Sequence, residues 1–358
     1  MKEIRVTLLG AGRVGRDVTR LLAQRTGFRV VAAHSRNPKY QGKDIGIHGG
    51  AAALGATITG DRAQALGEPS DVVVIATTSF LREVAEDICA AASAGHNVIC
   101  TAEEMLFPWI ADKSISDDLN KLAKKNKVSI LGVGANPGFI FDSFVLTATG
   151  AMWAVDFIRG KRVVDCSHFS STIKKRLGFG YMKKEFDAGV RAGIIYGHIG
   201  FSQSIALIAA TLGVKIDAIE KDLEPIIAEK PYVMDTLEIA PGQTVGFLQR
   251  VVGMSKGKPW YQAEFVGHAT PREAGLEVMD SFDIEGYPEL HFAVKPGFNP
   301  HFTSAAMVAN SLRRVVDAKP GLVTIADLPP AFPSPANVPF ASWPGLEFGT
   351  LKFNRSRT

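Results

Sequence analysis

A glycine-rich turn between a strand and a helix constrains the fold of this 358-residue chain more than any other feature. The run Ile4–Leu9 is short and apolar, as in a buried strand, and Gly10-Ala11-Gly12-Arg13-Val14-Gly15 follows it directly. Apolar residues then recur at helical spacing from residue 14 to residue 22, and residues 29–33 form a second apolar run. This order of strand, glycine turn, helix and strand is the context in which such a turn binds a dinucleotide.

The three glycines of this loop have separate roles in the predicted cofactor site. Gly10 allows the tight turn, Gly12 lets backbone amides approach a pyrophosphate, and Gly15 lets the helix pack on the strand. The N-terminus of the helix adds free N–H groups and the positive end of its dipole. A glycine turn without a ligand is the alternative interpretation. The strand before the loop and the amphipathic helix after it favour cofactor binding by all six residues, 10–15.

The alternation of apolar runs and helical patterns continues to about residue 140 and then changes. Strands are predicted at residues 71–76, 97–100 and 128–133, and helices at residues 80–94 and 117–127. We therefore expect an α/β protein with a Rossmann-type doubly wound parallel sheet at residues 1–143. A second, α+β domain with a mostly antiparallel sheet is expected at residues 144–303. A C-terminal helix and tail, residues 304–358, are expected to return to the Rossmann domain.

Composition excludes several classes of protein. The apolar fraction is 46% and the charged fraction 21%, which is typical of a packed globular chain and not of a disordered one. A net charge of +4 gives no indication of a nucleic-acid partner. The sequence contains no stretch of about 18 apolar residues and no signal-peptide pattern. The three cysteines have no metal-binding spacing. We expect a cytoplasmic protein without a membrane segment, a nucleic-acid partner or a metal.

The end of the second strand predicts which nicotinamide cofactor is used. NAD enzymes usually place an acidic residue there, but this chain has His34-Ser35-Arg36-Asn37. Ser35 can hydrogen-bond a 2′-phosphate and Arg36 can pair with it bidentately, so NADP(H) is expected over NAD(H), with NAD(H) as the alternative. Otherwise Arg36 is only a solvent-exposed charge. Thr77 and Thr78, after the next strand, either contact the cofactor or cap the helix that follows.

Two adjacent glutamates mark the expected reaction centre. Ligands of open α/β sheets bind beyond the carboxyl ends of the strands, where the strand at 97–100 delivers Glu103 and Glu104. A carboxylate in an apolar cleft has a raised pKa and can act as a general base or hold a cation. Helix capping is the alternative role of the pair. The next strand brings the Asn136 amide, in a glycine-rich turn at residues 132–139, to the same edge.

Four motifs in order then relate the chain to a known family. They are Thr101-Ala102-Glu103-Glu104-Met105-Leu106-Phe107-Pro108, Gly134-Ala135-Asn136-Pro137-Gly138-Phe139 with Asp142, Tyr196-Gly197-His198-Ile199-Gly200 with Ser204, and a stretch at residues 303–329 that contains Asn310. From residue 4 to about residue 330 the chain resembles the 2,4-diaminopentanoate dehydrogenases and native amine dehydrogenases. These are distant relatives of dihydrodipicolinate reductase.

The resemblance implies an NAD(P)H-dependent amine dehydrogenase, an oxidoreductase that reductively aminates a ketone or aldehyde with ammonia and catalyses the reverse oxidative deamination. It implies that Glu104, or as second choice Glu103, handles the ammonia or amine. It also implies that the second domain, residues 144–303, binds the substrate and forms a homodimer. Cofactor contacts from Thr101 and Asn310 are implied as well. The residues expected to line the substrate pocket are Asn136, Pro137, Phe139, His168, Phe169, Thr172 and His198. A surface position for His168 and a core position for His198 are the alternatives.

Departures from the family pattern concern the substrate. Residues 297–302 are less polar than usual in the family, and no further acidic cluster is present for a second amino group. A simple ketone or short amine is therefore expected, with 2,4-diaminopentanoate as the alternative. The charged run Lys174-Lys175-Arg176 is interpreted as solvent-exposed, and otherwise as an anion clamp. An NADP-dependent carbonyl or imine reductase and a non-catalytic NADP-binding sensor are the other functions considered.

Overall fold

The structure is a computed structural model that describes residues 3–169, 171–234 and 237–333, with only the backbone of Thr172. Strands and helices alternate through the first part of the chain. They are β1 (Ile4–Leu9), α1 (Arg13–Ala23), β2 (Phe28–His34), α2 (Ile45–Gly49), β3 (Ile58–Thr59), α3 (Arg62–Gly67), β4 (Val72–Ile75), α4 (Leu81–Ser93), β5 (Asn97–Cys100), α5 (Lys113–Asn126) and β6 (Ser129–Gly132).

Longer strands dominate the remainder. The elements are α6 (Ser143–Thr149), β7 (Ala154–Asp165), α7 (Ser171–Arg176), α8 (Lys183–Arg191), α9 (Phe201–Thr211), β8 (Ala218–Ile227), β9 (Tyr232–Met234), β10 (Leu237–Ile239), β11 (Thr244–Ser255), β12 (Lys258–His268), β13 (Met279–Tyr287), β14 (Leu290–Val294), α10 (Pro300–Val316) and β15 (Gly321–Val323). In the described part of the chain, no helix combines the length and apolar character that crossing a membrane requires.

The first sheet has seven strands in the order β15-β6-β5-β4-β1-β2-β3, and every pairing in it is parallel. All four residues of β4 are buried, as expected for a strand covered on both faces. Residues of α1 and α10 pack into the core on one face, and residues of α4 and α5 into the core on the other. This arrangement confirms the predicted Rossmann-type doubly wound sheet.

The second sheet has six strands in the order β14-β13-β7-β12-β11-β8. Only β7 and β12 pair in parallel, so the predicted mostly antiparallel sheet is confirmed. Helix α9 packs against β11, and its buried residues join a core rich in phenylalanine. Phe141 contacts Phe201 and Phe282 edge-on, with ring centroids 5.0 and 5.4 Å apart. These rings lie beneath the segment that carries the candidate site.

Helix α10 and strand β15 bring the chain back to the first sheet. Helix α10 contacts α1, β4, β5 and β6, and β15 pairs with β6. The helix begins at Pro300, whereas the sequence pattern predicted a start at residue 304, because Asn299 accepts hydrogen bonds from the His301 and Phe302 amides. The predicted course of the tail from residue 334 onwards lies outside the described residues.

A buried ion pair connects the centre of the second sheet to the chain before α10. Arg162 on β7 donates to both carboxylate oxygens of Asp280 on β13, at 2.9 and 3.1 Å. Arg162 also donates to the Phe298 carbonyl, and Asp280 accepts from the Phe298 amide, both at 2.7 Å. Because each charge is hydrogen-bonded as well as paired, the two strands and the segment that enters α10 are held in one register.

Candidate active site

The glycine loop is closed towards the protein and open towards the end of the sheet. A β-carbon on Gly10, where φ is +111°, lies 2.3 Å from the Ala76 carbonyl oxygen, and one on Gly15 lies 2.0 Å from the Gly10 carbonyl oxygen. By contrast, a β-carbon on Gly12 meets nothing within 4 Å. Gly12 also begins α1 without a side-chain cap, which leaves first-turn amides for a ligand. The loop therefore fits the pyrophosphate of a dinucleotide.

At the end of β2, Ser35 is buried and Arg36 projects outwards. The Ser35 hydroxyl accepts from the Asn37 amide at 3.2 Å, which turns the chain. Arg36 donates from Nη2 to Asp87 of α4 at 3.1 Å, while 68% of its side chain remains exposed. Asp87 also pairs with Arg62, at 2.6 Å. One face of the Arg36 guanidinium is thus oriented by the protein and the rest is available to a ligand.

The three predicted threonines lie at the carboxyl ends of β4 and β5. Thr77 is exposed, with its Cγ2 3.2 Å from the position of a β-carbon on Gly10. The Thr78 hydroxyl donates to Glu83 in the first turn of α4, so Thr78 anchors that helix. Thr101 is half-buried directly after β5. Of these residues, Thr77 is the one whose side chain is described next to the glycine loop, beside Gly10.

Asn310 is not brought to this edge. Its amide oxygen accepts from Arg25 at 2.6 Å, and Arg25 follows the C-terminal end of α1, away from the glycine loop. The Asn310 carbonyl also accepts from Arg314 one turn further along α10. The described contacts give Asn310 a role in joining α10 to α1 and not at the cofactor loop.

The two adjacent glutamates point to different partners. A tight 3₁₀ turn, Glu103–Leu106, follows β5 and packs so closely on β6 that a β-carbon on Gly132 lies 2.0 Å from the Met105 carbonyl oxygen. Glu104 accepts from the Leu81 amide at 2.7 Å and so caps α4. The Oε1 atom of Glu103 accepts from Ser79 at 3.4 Å, whereas its Oε2 atom is buried with no hydrogen-bond partner among the described residues.

Burial changes the acidity of Glu103. It raises the pKa of this carboxyl from 4.5 to about 8, and the nearby positive charge of Arg176 opposes the shift most strongly. Hydrogen bonds from Ser79 and from the Ile199 backbone oppose it as well. The carboxyl group therefore carries a proton at neutral pH and releases it just above, which suits an acid–base catalyst.

His198 faces Glu103 as a neutral ring. Its backbone is fixed because Gln249 of β11 accepts from the His198 amide at 2.8 Å and donates to its carbonyl at 2.9 Å. Its Nδ1 atom lies 3.9 Å from Glu103 Oε2. Burial, with the charges of Arg162 and Arg176, lowers the pKa of His198 from 6.5 to about 3. The ring also packs edge-on against Phe201, with centroids 4.9 Å apart.

The turn after β6 supplies further polar and apolar surface. The Asn136 side-chain oxygen is buried and has no hydrogen-bond partner among the described residues. Pro137 fills the space beside Gly200, where a β-carbon lies 2.4 Å from Pro137 Cδ. Phe139 is half-buried and meets Phe298 edge-on at 5.3 Å. The turn thus reaches the loop that carries His198.

A buried carboxyl holds this turn in place. Asp142 accepts from the Gly138 amide at 2.8 Å and from the Ser204 hydroxyl of α9 at 2.7 Å. It also accepts from the Ser143 amide at the start of α6. Three elements therefore converge on one side chain, which explains how Asp142 and Ser204 can belong to motifs without bordering the cleft.

The other predicted pocket residues follow β7. His168 is exposed, and Phe169 is half-buried against the core of the second domain. The side chain of Thr172 lies outside the described part of the chain.

Sequence reasoning missed Arg176 and Tyr196 as parts of the site. The run Lys174-Lys175-Arg176 was expected to be exposed, but Lys174 is 1% exposed and donates to the Ser167 carbonyl at 2.7 Å. Arg176 is half-buried, with its Cζ atom 5.1 Å from the centre of the Tyr196 ring. Tyr196 belongs to one of the four motifs that relate the chain to the family, but nothing in the local spacing indicates that Arg176 contacts its ring.

An open cleft of about 440 Å³ borders Tyr196 and His198. Its lining includes Phe80, Glu104, Tyr196, His198, Gln203 and Lys221. Within residues 3–169, 171–234 and 237–333, no group of three His, Cys, Asp or Glu side chains could hold a metal ion. The glycine loop, the sheet edge and a buried carboxyl beside a cleft define a nicotinamide-dependent oxidoreductase of the Rossmann type.

Comparison with known proteins identifies the family. Residues 139–336, more than half of the chain, match the family described as "2,4-diaminopentanoate dehydrogenase C-terminal domain", and residues 4–105 match "Dihydrodipicolinate reductase, N-terminus". The chain belongs to the 2,4-diaminopentanoate dehydrogenase C-terminal domain family. This confirms the resemblance found in the motifs.

Individual relatives agree with this assignment. The 2,4-diaminopentanoate dehydrogenase of Acetoanaerobium sticklandii is 29% identical over 92% of this chain and 94% of its own. The amine dehydrogenase of Mycobacterium smegmatis superimposes with a TM-score of 0.80 at 26% identity, over 93% of this chain and 98% of its own. The myo-inositol 2-dehydrogenase of Lactobacillus plantarum, at 18% identity and a TM-score of 0.55 over 91% of this chain and 93% of its own, shares the fold.

Proposed function

We propose that this protein is an NAD(P)H-dependent amine dehydrogenase that converts a ketone or aldehyde and ammonia into a primary amine, and catalyses the reverse oxidative deamination. The relatives named above support this reaction. The observation that carries the proposal is the half-buried Glu103 carboxyl group at the reacting edge of the sheet, whose Oε2 atom is buried without a hydrogen-bond partner among the described residues. A sensor that only binds a nucleotide has no need of such a group.

Glu103 is proposed as the acid–base catalyst. The carboxylate takes a proton from ammonium or from the nitrogen that attacks the carbonyl carbon. The resulting carboxylic acid returns a proton to the hydroxyl of the carbinolamine, which leaves as water and gives an iminium ion. The carboxylate then stabilises the positive iminium. The bound nicotinamide supplies the hydride. In sum, carbonyl, NH₄⁺ and NAD(P)H give amine, NAD(P)⁺ and water.

The other side chains position the reactants in this proposal. His198 stays uncharged, so it orients a substrate by hydrogen bonding without competing with ammonium for the carboxylate. The Asn136 amide can hold the carbonyl or amine group beside Glu103. Glu104 has a structural role instead, because its carboxylate already accepts from the first turn of α4.

The decisive experiment follows NADPH oxidation with a panel of ketones and aldehydes, with and without ammonium. Oxidation that requires ammonium is expected, and formation of the amine is confirmed by mass spectrometry. Oxidation without ammonium would indicate a carbonyl reductase. No oxidation by any member of the panel, with NADPH binding intact, would favour the nucleotide sensor.

The adjacent glutamates provide a matched pair of variants. Glu103→Gln is expected to lower kcat/KM about 10²–10⁴-fold and to remove the limb of the pH profile near pH 8. Glu104→Gln keeps an acceptor for the Leu81 amide and is expected to keep most of the activity. The reverse ranking of the two variants would assign catalysis to Glu104.

NADP(H) is the proposed cofactor. Arg36 is exposed at the end of β2, is oriented by Asp87, and no carboxylate follows β2 in the sequence His34-Ser35-Arg36-Asn37. Arg36→Ala is expected to raise KM for NADPH while leaving KM for NADH nearly unchanged, measured as a ratio of catalytic efficiencies. A wild-type preference for NADH would reject this assignment.

We also propose a homodimer located in the cytoplasm.

A further inference from the structure

A histidine outside the predicted motifs contacts the glycine loop of the cofactor site. The Nε2 atom of His48, on the short helix α2, lies 2.9 Å from the Ala11 carbonyl oxygen, although 37 positions separate the two residues. The histidine side chain is half-buried. Because a carbonyl oxygen only accepts, Nε2 is the donor of this hydrogen bond. Helix α2 therefore holds the second position of the glycine loop through one side chain.

The bonded carbonyl belongs to the peptide group that joins Ala11 to Gly12. This peptide group is trans, so its C=O and its N–H point in opposite directions. The bond to His48 fixes the plane of the peptide and turns the Gly12 N–H away from α2. Gly12 is also the residue at which α1 begins and at which an added β-carbon meets nothing within 4 Å. His48 thus orients an amide in the part of the loop that fits a pyrophosphate.

The backbone of α2 is fixed on both sides of the histidine. At the start of the helix, the Asp44 carboxylate accepts hydrogen bonds from four backbone amides, those of Gly46, Ile47, Leu54 and Gly55. At its end, a β-carbon on Gly49 lies 3.3 Å from the Arg16 carbonyl oxygen, so α2 packs closely on α1. Arg20 of α1 donates from Nε to the Gly49 carbonyl at 3.1 Å. A support that is fixed in this way gives the His48 side chain a defined direction.

Tyr40 connects the same histidine to the other end of the cofactor site. Its ring centre lies 4.4 Å from that of His48, with 44° between the ring planes. The Tyr40 amide donates to the Asn37 carbonyl at 3.1 Å, in the turn that follows β2 and carries Arg36. The His48 side chain therefore contacts both the glycine loop and the segment proposed to bind the 2′-phosphate.

We propose that His48 is a positioning residue of the cofactor site, which orients the Ala11–Gly12 peptide for binding of the pyrophosphate. This inference rests on the proposed nicotinamide-dependent function and adds to its cofactor site a residue outside the glycine loop. Because NADPH and NADH share the pyrophosphate, His48 acts on the affinity for both cofactors, whereas Arg36 acts on NADPH alone. It acts on binding and not on proton transfer, so a change at His48 alters KM for the cofactor and not kcat.

Glutamine and asparagine variants of His48 form a matched pair. Both carry an amide group, but the glutamine nitrogen has about the reach of Nε2 and the asparagine nitrogen only that of Nδ1. His48→Asn is expected to raise Kd for NADPH and for NADH by the same factor, about five-fold or more, in fluorescence titrations without substrate. His48→Gln keeps a donor for the Ala11 carbonyl and is expected to stay within about two-fold of wild type. With saturating NADPH, kcat of both variants is expected to remain within about two-fold of wild type.

The pair separates positioning from a general structural effect, because both variants lack the ring. Equal weakening of cofactor binding in His48→Gln and His48→Asn would overturn the proposal, as would an effect confined to NADPH. His48→Met has the reach of glutamine without its donor, and gives the same contrast if the asparagine variant does not fold. Ile47→Ala, at a 63% exposed neighbour on α2, is the control for disturbance of the helix and is expected to bind both cofactors as the wild type does.

The titrations also distinguish this inference from the proposed reaction. Cofactor binding that follows the expected order of variants, without amine formation from any carbonyl compound, would retain the role of His48 and reject the amine dehydrogenase function. Ammonium-dependent turnover with unchanged cofactor affinity in every variant would reject the role of His48 and retain the proposed function.

Discussion

The Glu103 carboxyl group exchanges its proton in the pH range in which ammonia becomes available from ammonium. Its pKa of about 8 results from burial, which outweighs the opposing effects of the Arg176 charge, the Ser79 hydroxyl and the Ile199 backbone. A group with an ordinary carboxyl pKa would be a weaker base and a scarcer acid at this pH. The position of Glu103 therefore gives it a pKa suited to proton transfer in both amination and deamination.

The same shift makes a prediction about stability. In the folded protein Glu103 holds its proton up to about pH 8, whereas the unfolded chain releases it near pH 4.5. The folded state therefore binds more protons between these values, and wild-type stability falls as the pH rises through that window. Glu103→Gln does not titrate, so its Tm relative to wild type is expected to increase from pH 5 to pH 8.5 in calorimetric scans.

The interpretation of this Tm difference depends on the titration of His198 and on a control variant at Glu104. The lowered pKa of His198 makes stability fall as the pH drops from 6.5 towards 3, and this loss is shared by wild type and variant. Glu104→Gln retains Glu103 and is expected to keep the wild-type pH dependence. A constant Tm difference between Glu103→Gln and wild type across the window would contradict the assigned pKa.

The glycine loop yields a second prediction at single residues. Gly12→Ala is expected to fold normally, since φ is −73° and the added carbon meets nothing within 4 Å, but to weaken NADPH binding about ten-fold or more. Gly15→Ala is expected to lose of the order of 3 kcal/mol of stability, because the added carbon lies 2.0 Å from the Gly10 carbonyl oxygen. Fluorescence titration and urea unfolding measure the two effects, and equal destabilisation by both changes would argue against an open loop.

At the scale of elements, the Arg162–Asp280 pair joins β7, β13 and the entrance to α10. Asp280→Ala leaves a buried guanidinium and a free Phe298 amide, and is expected to cost about 3–5 kcal/mol in the free energy of unfolding. Asp283→Ala on the same strand removes an exposed contact with His291 and is expected to change stability little. Chemical denaturation checks both values, and similar losses would show that the buried pair has no special role.

Local patterns predicted the first sheet well. The β-branched run of β4 and the bounds of β5 were evident because parallel strands covered on both faces are continuously apolar. The sequence pattern predicts the start of α10 four residues too late, because proline and histidine in its first turn interrupt the apolar spacing of a helix face. The register of the second sheet could not be predicted, since it depends on pairs such as Arg162 with Asp280, which are 118 residues apart.

The sequence also predicted only those parts of the candidate site that local patterns reveal. Motifs indicated Glu103, Asn136 and His198, which follow strands or stand in glycine-rich segments. They could not separate Glu103 from Glu104, because only the position of the Leu81 amide assigns one of them to helix capping. They also left Arg176 among exposed charges, since its contact with Tyr196, twenty positions further along, forms only in the folded chain.

For the whole molecule, a homodimer is the prediction, and the second domain offers a surface for it. Trp153 and Tyr287 are 86% and 62% exposed, and their rings contact each other at 5.2 Å. Sedimentation is expected to give twice the mass of one chain, and Trp153→Asp is expected to shift the protein towards the monomer. Phe302→Asp, at an exposed aromatic on α10, serves as the control. A wild-type monomer at micromolar concentration would reject the dimer.

Strand β15 and helix α10 have a consequence for the order of events during protein synthesis. The cofactor-binding half begins at residue 4, yet its sheet gains strand β15 only at residues 321–323. The apolar face that α1 partly covers is completed only by α10, at residues 300–316. Until those residues leave the ribosome, β6 is an unprotected edge, the kind of edge that pairs with other chains. The nascent protein therefore emerges with its first domain unfinished. A ribosome stalled before residue 300 is expected to expose the open edge of β6 and an incompletely covered apolar face.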